Sequence, residues 1–108
     1  MKETTQLYLV LKKQYFNEIL DGTKTEEYRD FTDHNISRLG LIEDGAFVGC
    51  RSYDTVKFQL GYNKDAPQMI VKVKEILLEA DDLDAEELNT ENCNFVIRLG
   101  QIRDKKNC

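Results

Sequence analysis

Long apolar runs are missing from this chain, and no stretch approaches the ~20 residues that a membrane-spanning helix needs. A membrane partner is therefore not expected. The opening residues are unlike a secretion leader as well, because Lys2 and Glu3 lead into a short alternating segment and not into an apolar one. A cytoplasmic protein is the expectation. Cysteine is sparse and odd in number: Cys50, Cys93 and Cys108 lie far apart, form no CxxC pair, and share the chain with one histidine, His34. The usual spacing of a zinc site cannot be assembled from them, so neither a metal nor a cofactor is expected. Cys50 and Cys93 read as small core side chains and Cys108 as a free thiol, which a reducing compartment allows. His34 reads as an ordinary surface residue. Proline occurs once, at Pro67, and there are no repeats, low-complexity tracts or linkers, so the 108 residues are read as one domain, residues 1–108.

Basic residues are absent from one stretch. Between Glu75 and Glu91 there are eight acids (Glu75, Glu79, Asp81, Asp82, Asp84, Glu86, Glu87 and Glu91) and no Lys or Arg. The formal net charge of −5 argues against nucleic acid at first sight. Outside the acidic stretch, however, 12 acids face 15 Lys and Arg, a balance of +3 that leaves room for a basic face. The stretch 75–91 itself suits either a solvated helix surface or a docking surface for a protein partner.

What is present is a sequence of short periodic segments. Gln6–Lys12 alternates as a strand covered on both faces. Lys13–Asp21 carries Tyr15, Phe16, Ile19 and Leu20 as one helical stripe read as core, and Gly22 stands where such a helix stops. Thr25–Arg29 alternates as a short strand. Asp33–Leu41 reads as a second helix with Thr32 or Asp33 as N-cap, and with Ile36, Leu39 and Leu41 turned inward. Glu43–Ser52, with Gly45 and Gly49, reads as a connecting loop that could hold a brief strand at Ala46–Val48. Strands are expected at Tyr53–Tyr62, at Gln68–Leu78 with a lapse in alternation around Glu75, and at Asn94–Ile102. A helical turn is expected at Asp81–Leu88. Five strands with two or three short helices imply an α+β chain whose mixed sheet curls toward a small barrel.

Chemistry concentrates in Gly22–Arg29. If Thr25–Arg29 is extended, Glu27 and Arg29 share a face, and Lys24 can lean over it from the preceding turn. Such a trio supplies an ammonium, a carboxylate to orient it, and a planar guanidinium fork for phosphate or a base edge. The same residues read blandly are weakly paired surface charges. Tyr28, Tyr53, Tyr62 and Phe31 are candidate stacking surfaces, the first three taken as ligand-binding candidates, and Lys57, Lys72, Lys74 and Arg98 are candidates for a phosphate-binding face.

Gly22, Lys24, Glu27 and Arg29 match the pattern GxKxxExR after a strand and a helix, and the whole resembles the signature of the ASCH domain family, related in fold to the PUA domains of RNA-modifying proteins. The surroundings QYFNEILDGTKTEEYR and NFVIRLGQI are similar to the family's first helix, motif and last strand. The resemblance implies a PUA-like β-barrel with helices beside a cleft, the motif lining that cleft, and binding of RNA or a nucleoside-type ligand. Family activities also include RNA cleavage and deacylation of N4-acetylcytidine, so a hydrolase with Lys24 as catalytic residue is the alternative. In the family's small amidohydrolases a nucleophilic threonine stands where this chain has Glu27. A carboxylate cannot supply that hydroxyl, so the departure weighs against threonine-type amide hydrolysis. A protein-interaction module using the acidic stretch is the third reading.

Overall fold

The computed structural model describes residues 5–80 and 92–108. Alternating Leu7, Leu9 and Leu11 build strand β1 (Gln6–Leu11), and the apolar stripe that follows builds helix α1 (Lys13–Leu20), which buries Phe16 and Ile19. Strand β2 (Glu26–Asp30) carries the charged segment. Helix α2 (Asp33–Leu39) starts at Thr32, whose Oγ1 accepts a hydrogen bond from Asn35 N at 3.2 Å, an N-cap that satisfies one of the helix's orphan donors. Then come β3 (Gly40–Glu43), β4 (Ala46–Cys50), β5 (Thr55–Leu60), β6 (Gln68–Ala80) and β7 (Cys93–Lys106). No helix among the described residues is long and apolar enough to cross a membrane.

The main sheet has the order β1-β5-β6-β7-β2, with β1 parallel to β5 and the remaining pairs antiparallel. Its curl has a local cause. Pairing of β6 with β7 slips three times, between Ile70 and Val71, between Val71 and Val73, and between Val73 and Glu75. The first two slips place an extra residue on β7 and the third places one on β6. Each bulge bends its strand and increases the local twist. The last one explains the lapse expected near Glu75: Met69, Val71 and Val73 point inward, Lys74 and Glu75 are both exposed, and Ile76 resumes the inward set. The result is an α+β fold with a five-stranded sheet curled into a half-barrel and two helices.

The concave side holds the core. Val56, Phe58, Val71, Phe95 and Ile97 are completely buried, and Leu7, Leu9, Phe16, Leu39 and Met69 close around them. Each such side chain contributes about 1.5–3 kcal/mol through burial. Cys93 is buried, Cys50 half-buried and Cys108 exposed.

Two expectations need correction. Glu43–Ser52 is more than a connecting loop: the brief strand at Ala46–Val48 is present as part of β4, and β3 and β4 form an antiparallel hairpin closed by Asp44 and Gly45, both at positive φ (51° and 81°). A Asp-Gly pair is the residue choice such a two-residue hairpin turn favours, so the signal was in the sequence. Consequently α2 stops at Leu39, and Leu41, expected inward, is 44% exposed on β3. The helical turn expected at Asp81–Leu88 lies outside the described residues, as does most of the acidic stretch.

The hairpin is seated on the core through Phe47, whose ring lies 5.4 Å edge-on from Phe31 and covers Gly40. A Cβ at position 40 would lie 2.8 Å from the Phe47 ring and 2.9 Å from the Ile36 carbonyl oxygen, and the latter is backbone and cannot step aside. Gly40→Ala is therefore expected to lose about 1–3 kcal/mol by overpacking. The check is a lower urea midpoint at unchanged m-value.

Candidate functional site

Strands β1 and β2 are the two edges of the main sheet, so hydrogen bonds of the ladder cannot join them. Side chains do. Arg29 on β2 donates from Nη2 to the Val10 carbonyl on β1 at 3.2 Å, and Arg38 on α2 donates to the Tyr8 carbonyl. Tyr8 and Val10 are two residues apart, so their carbonyls leave the same edge of β1, the one turned away from β5. Two guanidiniums thus occupy an edge that would otherwise offer unpaired acceptors.

The seam between these edges opens into a concavity of about 320 Å³. It is lined by Val10–Lys12 and Tyr15 at the β1–α1 junction, by Glu27–Asp30 on β2, and by Asn35 on α2. A volume of this order lies at the lower end for small-molecule sites. Asn35 is fixed there by its Nδ2 donating to the Asp30 carbonyl at 2.9 Å.

Glu27 is the only buried charged residue among those described, at 6% exposure. Strand alternation turns it inward between two cations: Lys24 Nζ stands 3.9 Å from Oε1, and Arg29 Nη2 stands 3.8 Å from Oε2. Both distances are Coulombic contacts and too long for hydrogen bonds. Oε1 accepts from Tyr28 N at 3.0 Å, but among the described residues Oε2 has no hydrogen-bond partner, and neither has Arg29 Nε. Buried polar atoms are nearly always paired in folded proteins. A carboxylate oxygen and a guanidinium N–H are therefore left unsatisfied among the described residues, buried beneath a concavity that Glu27 and Arg29 line.

Lys24 is placed by its backbone. After α1, Gly22 takes the left-handed conformation (φ +88°), which reverses the chain cheaply only for glycine. Lys24 N then donates to the Glu18 carbonyl at 3.0 Å, and Leu99 N donates to the Thr25 carbonyl at 2.9 Å. Thr23 donates to the Asp21 carboxylate from its hydroxyl at 2.7 Å and from its N–H at 2.9 Å, and these bonds hold Asp21 below the ordinary carboxylate range. From this turn the Lys24 ammonium lies 5.3 Å from the centre of the Tyr15 ring and 5.2 Å from that of Tyr28. At these distances both ring faces attract it.

The structure thus brings Lys24, Glu27, Tyr28 and Arg29 together, with Gly22 shaping the turn. Tyr53 lies elsewhere, packed against the core with its hydroxyl donating to the Arg38 carbonyl at 2.5 Å. Tyr62 is 89% exposed in the β5–β6 connection, outside the concavity. Phe31 is buried beside Phe47 and Phe95 and has no face to offer a ligand. Tyr15 joins the site instead. Its helical spacing assigns it to the core stripe, yet it is 41% exposed and flanks the cleft. Nothing in its spacing separates a stripe residue that is buried from one at the stripe's margin.

Because Glu27 is buried between two cations, removing one leaves charge uncompensated. Arg29→Gln is expected to lower stability by about 1–3 kcal/mol, and Glu27→Gln in the same chain is expected to recover part of that loss. A double-mutant cycle of urea unfolding checks this, and strictly additive losses would show that the two groups do not interact. Comparison of the chain with protein-family models, with curated proteins and with solved structures finds no match in any of the three.

Proposed function

We propose that this chain is an ASCH-like module of PUA-like type that binds RNA, or a nucleoside-type ligand, in the cleft between β1 and β2. The observation that carries the reading is the charged cluster at the cleft, with Glu27 buried between Lys24 and Arg29, Glu27 and Arg29 lining the concavity, and their Oε2 and Nε unsatisfied among the described residues. Carboxylates accept from base amino groups, and guanidiniums donate to base acceptors. Unstacked bases of single-stranded RNA are held in this way on their edges while an aromatic ring takes their face. Tyr15 and Tyr28, each near half-exposed at the cleft, supply such rings. The GxKxxExR resemblance points to the same ligand class.

Lys24 serves in this reading as a fixed cation for a phosphate or another negative group. Its neighbours, a carboxylate and two ring faces, attract positive charge. That arrangement favours binding over proton abstraction.

The test is fluorescence anisotropy of short single-stranded RNAs at low and moderate salt. Lys24→Ala is expected to weaken binding about tenfold or more, the scale of one lost charge-assisted contact. Arg29→Lys keeps the charge but loses the planar fork, and is expected to weaken binding by a similar factor. Absence of binding at low salt, or affinities indifferent to both substitutions, would remove the proposal.

A further inference from the structure

A second basic surface lies on the opposite side of the sheet from the core. Register places Tyr8 on β1, Lys57 on β5, Ile70 on β6 and Asp104 on β7 in one row across four strands. Gln59, Gln68 and Lys106 follow in the next row. The middle of this face is already ordered: Gln59 Oε1 accepts from the Tyr8 hydroxyl and from Gln68 Nε2, both at 2.6 Å.

A shallow hollow of about 90 Å³ sits at its β7 side, edged by Lys57, Lys105, Lys106 and Asp104 over Gln68 and Ile70. Lys72 stands on the same face of β6, two residues beyond Ile70. None of Lys57, Lys72, Lys105 and Lys106 forms an ion pair among the described residues. Asp104 is the one acid at the hollow, and its Oδ1 is engaged by Lys105 N at 2.9 Å. On this face Lys57, Lys72 and Lys106 stand against the single carboxylate of Asp104, a positive balance in a chain whose net charge is −5.

We infer that this outer face binds the sugar–phosphate backbone of a single-stranded nucleic acid whose base enters the β1–β2 cleft. The inference rests on the cleft reading for the identity of the ligand, and on charge complementarity for its own site. Strand β1 belongs to both surfaces, its Val10 at the cleft and its Tyr8 on the outer face, so one ligand strand crossing that edge meets both. The two surfaces divide the work: the cleft reads a base, and the lysines add affinity without sequence preference.

Two probes separate this site from the cleft. Inorganic tripolyphosphate has no base and reports phosphate binding apart from base recognition, with Lys24→Ala removing the cleft's cation. Titrated at low salt into the 15N-labelled full chain, it is expected to shift the amides of Lys57, Ile70 and Lys106. The shifts should survive Lys24→Ala and vanish in the triple variant Lys57→Gln, Lys72→Gln, Lys106→Gln. A 12-nucleotide single-stranded RNA then reports the joint site. The slope of log K against log salt should become shallower by roughly 2 in the triple variant, about 0.7 per lost phosphate contact. Tripolyphosphate shifts that are absent, or spread equally over lysines elsewhere such as Lys13 and Lys64, overturn the outer-face site whatever the cleft does. An RNA affinity that ignores Lys24→Ala but falls in the triple variant overturns the cleft reading and leaves this one standing.

Discussion

Arg29 holds together two strands that the backbone ladder leaves apart. Its guanidinium reaches from β2 to the Val10 carbonyl of β1, the far edge of the same sheet, while its neighbour Glu27 lies buried between it and Lys24. Without a donor at that seam, β1 would expose acceptors to water or to another chain. Without a cation on each side, Glu27 would bring an uncompensated charge into the interior. The closure of the half-barrel and the electrostatics of the cleft are therefore one interaction seen from two sides.

That coupling accounts for the unusual polar bookkeeping of the site. A seam closed only for stability would be better served by short, saturated hydrogen bonds. Here the two contacts of Glu27 with its cations lie near 4 Å, and one oxygen of the carboxylate and one N–H of the guanidinium have no hydrogen-bond partner among the described residues. Arg29 uses one donor to fasten the strands and keeps Nε buried and unsatisfied among the described residues. Lys24 reaches the same place by a different route, from a turn pinned to α1 on one side and to β7 on the other. Three charges from two elements thus converge because their backbones are held independently of any ligand.

Much of the architecture was legible along the chain. Leucine alternation marks β1, the apolar stripe marks α1, and the five strands of the main sheet fall where alternation places them, with ends differing by a few residues. The hairpin was missed although Asp44–Gly45 announces it, because the flanking strands are short and expose Leu41, Ile42 and Val48 instead of alternating cleanly. Around the cleft, alternation brings Glu27 and Arg29 to one face, as local geometry requires. Tyr53 and Tyr62 show the limit of such reasoning: residues that bracket a strand in sequence end up on different surfaces once the loops beyond the strand take their own course.

The sequence by itself determined the five strands of the main sheet and the two helices, and it placed an ammonium, a carboxylate and a guanidinium within six residues. Side-chain periodicity is local, so neighbours along the chain suffice to set it. Only the tertiary structure decided what those charges face. Extra residues on β6 and β7 bend the long strands, the bend carries β1 round toward β2, and Tyr15, Val10 and Asn35 arrive opposite the motif from other elements. A bulge's effect on direction accumulates over many residues, and no local pattern records where the sheet's two edges will meet.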